Sequence, residues 1–173
     1  MKLRMLVSVA AIAFLVSCGP SYQVTDSSVV VPVGTRSAFA DQYPTAGTVV
    51  WGHFDPAITP LVDWELTEWP ELDADDYVVT FNIDGVPHYA WYDEDGSWIG
   101  TARTIGDVTT VPVSINTMVT TKFPGYTIST VKQEFWPDDR MGYELELKSG
   151  DTKVKLLVDQ NGNILKQKMK VDD

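Results

Sequence analysis

Few side chains in this sequence have the type and spacing that catalysis requires. The only histidines are His53 and His88, and the single cysteine is Cys18. His88 alternates with Val86 and Ala90 in an apolar strand pattern, which favours a partly buried histidine over a general base. No serine-centred nucleophile motif is present in the sequence. The sequence therefore predicts that the protein is not an enzyme.

Two short segments combine oxygen-bearing side chains with a glycine. They are Asp93–Gly96 and Asp159–Gly162, which occupy matching places in the chain. Their first residues resemble the start of a calcium loop, but the full ligand spacing and the terminal glutamate are absent. Aspartate, asparagine and glycine are also the residues that a tight turn prefers. We therefore expect turns here, with no metal and no cofactor.

Cys18 follows a segment with the features of an export signal. Lys2 and Arg4 precede an apolar run, Met5–Val16, which is shorter than the roughly 20 residues that a membrane-spanning helix needs. The sequence Leu15–Gly19 resembles the lipobox of bacterial lipoproteins. This resemblance implies that residues 1–17 are a lipoprotein signal peptide and that Cys18 is the lipid attachment site.

The charge of the mature chain argues against nucleic acid as a partner. The sequence has 13 basic and 24 acidic residues, and removal of Lys2 and Arg4 with the signal peptide leaves a net charge of −13. Such a charge repels phosphate backbones and anionic lipid. Residues 18–30 are polar and are predicted to form a tether. We expect a location in the cell envelope, either facing the periplasm or at the cell surface, with membrane attachment through the lipid anchor.

The rest of the chain contains an internal duplication. The matches have an offset of 80 for Val31-Pro32-Val33 with Val111-Pro112-Val113, and of 66 for Tyr77, Asp93 and Gly96 with Tyr143, Asp159 and Gly162. The difference assigns 14 extra residues to the first copy, at about residues 48–60. The sequence thus predicts a first repeat at residues 31–106, with this insertion, and a second repeat at residues 107–173.

Each copy has the pattern of one helix followed by four strands. Pro112 suits the first turn of a helix, apolar residues then follow at helical spacing, and Pro124 ends it. Asp84-Gly85 is typical of a two-residue hairpin turn. Earlier strands are predicted at about Val62–Trp69 and Thr127–Phe135. The predicted fold class is α+β, with two tandem helix-plus-four-strand antiparallel repeats and helices packed on one face of the sheet or sheets.

The order of these motifs identifies a family resemblance. Val-Pro, an amphipathic helix, Phe-Pro-Gly-Tyr, a strand, Tyr-x-Leu-x-Leu, a strand ending in Asp-x-x-Gly and a final strand follow one another in Val111–Lys168, and more loosely in Val31–Arg103. This order resembles the PepSY-like repeats of Bacteroidota lipoproteins, which are similar in fold to the beta-lactamase inhibitor protein. The resemblance implies a tandem α+β domain whose two sheets can join into one of eight strands, and a role in binding proteins or peptides. It brings no catalytic residues to this chain.

The two copies differ on one strand face. This face is Glu144, Glu146, Lys148, Lys153, Lys155 and Leu157 in the second copy, but Val78, Thr80, Asn82, Pro87, Tyr89 and Trp91 in the first. The hairpin turn should place Thr80 opposite Tyr89 and Val78 opposite Trp91. An uncharged aromatic surface is typical of a contact with another molecule. The candidate binding residues are Tyr89, Trp91, Val78, Thr80 and Trp98, and the alternative is burial beneath the insertion or against the second repeat.

Two kinds of ligand remain open from the sequence. We expect a lipid-anchored module that engages a protein or peptide, such as a secreted enzyme that it inhibits, through the aromatic face. The alternative is a glycan-binding envelope lipoprotein whose Trp and Tyr rings stack on sugars. Isolated aromatic pockets flanked by Asp and Asn would favour the glycan, whereas a broad aromatic sheet would favour a protein. The chain is expected to be a monomer.

Overall fold

The computed structural model of the chain describes residues 29–55, 57–58 and 61–171. The predicted signal peptide, Cys18 and most of the tether lie outside these residues, so lipid attachment stays a prediction. In chain order the elements are α1 (Val33–Gln42), β1 (Gly47–His53), β2 (Tyr77–Ile83), β3 (Val86–Tyr92), β4 (Trp98–Ile105), a short 3₁₀ helix (Val108–Thr110), α2 (Val113–Lys122), β5 (Thr127–Phe135), β6 (Met141–Ser149), β7 (Thr152–Asp159) and β8 (Ile164–Val171). Within the described residues, no helix has the length and apolar character needed to cross a membrane.

The eight strands of the described residues form one antiparallel sheet in which each strand pairs with the next along the chain. β4 and β5 join the two halves, with Thr101 opposite Phe135 and Ile105 opposite Val131. The predicted fold class of two helix-plus-four-strand repeats with helices packed on the sheet is therefore wrong. The described chain is mostly one continuous sheet with two α-helices of 10 residues each. Pairing of β4 with β5 satisfies the backbone groups that two separate sheets would leave exposed at their edges.

Prolines define the ends of both short helices. Each helix follows an N-cap proline, Pro32 for α1 and Pro112 for α2, one position earlier than the first-turn placement expected for Pro112. The predicted apolar face of α2 is largely confirmed, because Ile115, Met118 and Val119 are buried in one cluster with side chains of β5, β6 and β7. α1 is held more loosely, since only Thr35 and Phe39 are buried in it.

The β2–β3 hairpin has the predicted turn and register. Asp84 and Gly85 both have positive φ, 52° and 78°, as a type I′ turn requires. Thr80 lies opposite Tyr89, and Val78 lies opposite Trp91. The prediction of which residues face each other across this hairpin is therefore confirmed.

Side chains are buried on both faces of the sheet. On the face next to the helices, one cluster surrounds Phe39 and another surrounds Ile115. Because side chains alternate along a strand, Val78, Trp91 and Leu157 point to the opposite face, where they belong to a third cluster. Residues 61–72, which we call the strap, contribute several members of that cluster and cover part of this second face.

The strap is not the strand that the sequence pattern predicts at Val62–Trp69, and that prediction is wrong. Leu66 N and Thr67 N both donate to Asp63 O, at 2.8 Å and 3.1 Å, so the segment turns. Its apolar side chains contact one surface instead of alternating between two, with Leu61, Val62, Leu66 and Trp69 buried. The first strand of the sheet is β1, which lies largely within the stretch predicted as the insertion.

Candidate binding site

The structure divides the five predicted binding residues between two faces of the sheet. Val78 and Trp91 are each 1% exposed and Tyr89 is 7% exposed, all in the cluster beneath the strap. Thr80 lies beside them and is half-buried. Trp98 packs in the cluster on the helix side and donates from Nε1 to Thr101 Oγ1 at 3.0 Å. The sequence left two alternatives for the aromatic face, a binding surface or burial. In the structure Val78, Tyr89 and Trp91 are buried.

Trp98 is on the other face because of an irregularity between β3 and β4. The register shifts after Trp91, so Tyr92 pairs with Trp98 while Trp91 pairs with Gly100. A bulge of this kind reverses the direction of the side chains that follow it. Ile99, not Trp98, therefore joins the cluster beneath the strap.

Tryptophan rings carry the contact between the strap and the sheet. The ring centroid of Trp91 lies 5.5 Å from that of Trp64 and 5.2 Å from that of Trp69. Trp69 lies over Gly100, where a Cβ atom would come within 2.6 Å of the indole Nε1. The indole N–H groups of Trp64, Trp69, Trp91 and Trp136 are buried without an acceptor among the described residues. Packing, not hydrogen bonding of these rings, therefore holds the contact together.

Charged groups fix the strap to the second half of the sheet. Asp63 N donates to Glu144 Oε2 at 2.7 Å, and Lys155 Nζ donates to Asp63 Oδ2 at 2.8 Å. Burial raises the pKa of Asp63, but the hydrogen bond from Lys155 and the nearby charge of Lys168 outweigh it and leave the pKa below its ordinary value. Lys166 Nζ donates to the carbonyl oxygen of Thr67 at 2.7 Å. The strap is thus held by apolar contacts to β2–β4 and by polar contacts to β6–β8.

The strap leaves the remainder of this face open. On β1–β4 the accessible or half-accessible side chains are uncharged, and we call them the open patch: Val50, Thr80, Asn82, Pro87 and Thr104. Lys132, opposite Thr104, begins the charged half of the face, which continues with Lys148 and its partner Glu146 at 3.1 Å. On the part of the face that the strap does not cover, β1–β4 are therefore uncharged, whereas β5 and β6 carry charged side chains.

One group of carboxylates has the geometry of a possible cation site. Asp73, Asp76 and Glu94 place one oxygen each within 4.8 Å of one another, and Asp73 and Glu94 are exposed. Repulsion from Asp73 raises the pKa of Glu94, with Asp95 adding to the effect. Oxygen ligands of this kind suit Ca²⁺ or Mg²⁺. However, Asp73 N already donates to Asp76 Oδ2 at 2.7 Å, so the group is also explained as a turn.

A cleft lies at one end of the second half of the sheet, between the turns that follow β5 and β7. It has a volume of about 550 Å³ and is lined by Phe135, Trp136, Asp139, Arg140, Met141, Asp159, Gln160, Asn161 and Leu165. Asp139 has φ of 63° within the turn that the Asp139 N to Trp136 O hydrogen bond closes, and aspartate tolerates this backbone region. The lining combines the apolar side chains of Phe135, Met141 and Leu165 with exposed polar residues such as Asp139 and Asn161.

The two histidines are placed apart. His53 is exposed and stacks on Tyr77 with ring centroids 5.2 Å apart. His88 is buried, and its Nδ1 lies 2.8 Å from the carbonyl oxygen of Val86. Burial lowers the pKa of His88, which favours the neutral ring. His88 is thus the locally bonded core histidine that the strand pattern indicates.

Sequence reasoning missed the strap, although one residue pointed to it. Leu157 is the only apolar member of the otherwise charged face of the second copy. It is fully buried beneath the strap. An apolar side chain on a charged face therefore indicated that something covers that position.

The chain matches one protein family in sequence and several solved structures in fold. A family model described as "Putative beta-lactamase-inhibitor-like, PepSY-like" matches residues 75–166. This chain belongs to the PepSY-like family. The family resemblance seen in the sequence motifs is therefore confirmed. No curated protein matches the chain.

Solved structures of Bacteroides proteins share the fold of this PepSY-like chain. A DUF2874 family protein from Bacteroides uniformis has 20% identity and a TM-score of 0.62, covering 81% of this chain and 90% of its own. A BLIP-like protein from Bacteroides fragilis has 17% identity and a TM-score of 0.62, covering 84% and 92%. A protein from Bacteroides eggerthii described as "putative periplasmic" has 17% identity and a TM-score of 0.60, covering 83% and 91%.

Proposed function

We propose that this protein is a non-catalytic binding module, anchored outside the cytoplasm through lipid on Cys18, that engages a protein or peptide on the open patch. The observation that carries the proposal is the absence of charge from Val50, Thr80, Asn82, Pro87 and Thr104, in a chain whose net charge is −11. Charged residues are depleted from the cores of protein interfaces. A surface of small polar and apolar side chains can therefore lose its water at low cost.

The surroundings of the open patch favour a partner segment without net charge. Lys132, next to Thr104 across the β4–β5 pairing, is paired with Glu144, and Lys148, further along the same face, is paired with Glu146. The groups beside the patch are therefore balanced in charge, and a neutral segment meets no repulsion there. Membership of a family described as beta-lactamase-inhibitor-like supports protein binding over catalysis, and a periplasmic description of one fold relative supports the location.

A pair of threonine substitutions tests the open patch. Thr104 lies on the patch and Thr121 lies on α2, and both are exposed. Thr104→Glu should place a charge in the interface and abolish capture of the partner from envelope extract by the soluble 19–173 fragment. Thr121→Glu should leave both capture and the melting temperature unchanged. Equal capture by the two variants, at equal stability, would rule out the open patch as the site.

Lipid attachment has its own test. Cys18→Ser should move the protein out of the membrane fraction or leave the precursor unprocessed, and it should remove labelling by a fatty-acid analogue. Labelling that persists in Cys18→Ser would contradict the anchor.

A glycan is the second candidate ligand, and the cleft beside β5 and β7 favours it. Phe135 contributes half-buried aromatic surface, and Asp139 and Asn161 are exposed polar residues of the lining, a combination that suits a sugar. Titration calorimetry with envelope oligosaccharides should give saturable binding that Asp139→Ala weakens. Asp151→Ala, in an exposed turn away from the cleft, is the control. Absence of binding across a panel of such sugars would remove this candidate.

A further inference from the structure

A buried acid lies at the centre of the sheet. Glu134 is in β5, opposite Ala102 of β4 and Gly142 of β6, and its side chain is fully buried. Neither carboxyl oxygen has a hydrogen-bond partner among the described residues. Buried polar groups without partners are rare because each loses its hydration without compensation. Such a group in a strand therefore calls for an explanation.

The charged groups that face Glu134 are the ones that hold the strap. They come from four elements: Glu144 on β6, Lys132 on β5, Lys166 on β8 and Asp63 on the strap. Glu144 accepts from Lys132 Nζ at 2.9 Å and from Asp63 N at 2.7 Å. Lys166 is engaged with the strap carbonyl of Thr67. Both lysines that could neutralise Glu134 are therefore already engaged. Lys166 binds the strap carbonyl of Thr67, and Lys132 binds Glu144, which accepts the hydrogen bond from Asp63 N.

This arrangement favours protonated Glu134 over ionised Glu134. Burial, together with the charge of Glu144, raises the pKa of Glu134 to about 8. Loss of the proton places a second carboxylate beside Glu144 in the interior. That charge would attract Lys166 away from the carbonyl oxygen of Thr67, which removes a contact of the strap, or Lys132 away from Glu144, which leaves the carboxylate of Glu144 unneutralised beside Asp63.

We propose that Glu134 is a pH-sensitive latch, in which loss of its proton favours release of the strap from the sheet. Release would expose Val78 and Trp91 next to the open patch and so enlarge the binding surface, a consequence that rests on the proposed function. The latch itself requires no partner. It is a property of the strap, Glu134 and the lysines around them.

Linkage gives the direction and size of the effect. The carboxyl binds its proton more tightly in the closed state than in an open, hydrated state, where the pKa would return towards about 4.3. Opening therefore releases a proton between these two values, and the opening equilibrium should rise with pH by up to about tenfold per pH unit. It should level off above the closed-state pKa of about 8.

Hydrogen exchange of strap amides, compared between the wild type and Glu134→Gln at each pH, tests the latch. The ratio at equal pH cancels the intrinsic pH dependence of exchange. We expect protection in the strap to be similar in the two proteins near pH 5. By pH 8.5 we expect the wild type to be less protected than Glu134→Gln by at least tenfold, while amides of β6 and β7 remain equally protected. The control Glu146→Gln alters an acid on the same face of β6 as Glu144, and its strap protection should match that of the wild type at each pH.

Three outcomes would overturn the proposal. They are a ratio that does not change with pH, a loss of protection that affects β6 and β7 as much as the strap, and a Glu146→Gln variant that behaves as Glu134→Gln. Glu134→Leu provides a second variant without an ionisable group, and it should show the same high-pH protection as Glu134→Gln. If neither variant folds, strap exchange relative to β6 in the wild type still has to rise from pH 5 to pH 8. None of these measurements depends on a partner, so failure of the open-patch experiment would not affect them.

Discussion

Replacement of Trp91 by alanine tests whether the aromatic face belongs to the interior of the protein. Trp91 is 1% exposed and packs against Trp64 and Trp69 of the strap. Removing such a side chain costs about 3–5 kcal/mol, because it deletes apolar contact and leaves a cavity. For a domain of this size each kcal/mol lowers the melting temperature by about 2–4 °C. We therefore expect Trp91→Ala to melt roughly 6–20 °C below the wild type.

The assay is thermal and urea denaturation of the soluble 19–173 fragment, with Leu165→Ala as the control. Leu165 is an apolar residue that is 44% exposed, and its truncation should change the free energy of unfolding by about 0.5 kcal/mol or less. A loss of less than about 1 kcal/mol in Trp91→Ala would refute the reasoning. Trp91 would then behave as an accessible anchor, and the covering role given to the strap would be incorrect.

Two further substitutions probe the strap and the acidic turn. Gly100→Ala should lower the free energy of unfolding by about 1–3 kcal/mol, because a Cβ atom at Gly100 would meet the indole of Trp69. The control Gly106→Ala should be neutral, because no atom lies within 4 Å of the added Cβ. Equal stability of the two variants would contradict the packing of Trp69 on Gly100. Glu94→Gln should raise the melting temperature at pH 7, because the charge of Asp73 raises the pKa of Glu94 and the folded state therefore loses stability as pH rises through that pKa. The gain in melting temperature should vanish near pH 4. A variant less stable than the wild type at pH 7 would show that Glu94 makes a favourable contact instead.

Local turn chemistry explains why parts of the fold were predictable. Asp84-Gly85 permits the positive φ values of a two-residue turn, and that turn fixes every pair across the β2–β3 hairpin. Prolines mark the bounds of α2, and the spacing of Ile115 and Met118 identifies its buried side. These features depend on residues close to one another in sequence. They could therefore be predicted without knowledge of the rest of the fold.

Features that depend on distant contacts were not predictable in this way. β1 contains Thr48, which has φ of 52°, and the pairing of β1 with β2 shifts register between Gly47 and Val50, so its alternation is interrupted. Trp98 was predicted with the aromatic face but lies on the helix side, because the irregularity after Trp91 leaves no signal in the sequence. Nothing in the sequence distinguishes Glu134 from the other charged residues of its strand. Its burial depends on its place in the sheet, between Ala102 of β4 and Gly142 of β6, which only the strand pairing reveals.

The forces that hold the strap differ in size, and this difference decides what can release it. Val62, Leu66 and Trp69 are all buried, and burial of such side chains stabilises by about 1.5–3 kcal/mol each. Asp63 forms ion pairs with Lys155 and with Lys168, and these pairs are partly exposed. Pairs of that kind contribute about 0–1 kcal/mol each. Salt alone should therefore leave the strap in place.

Ionisation of Glu134 acts on a larger scale than salt does. Its pKa of about 8, compared with about 4.3 for a hydrated glutamate, corresponds to at most about 5 kcal/mol at high pH. That is comparable with the burial of two strap side chains but smaller than the whole apolar contact. Loss of the proton should thus raise the population of the open strap, and a partner that binds Trp91 would select that state.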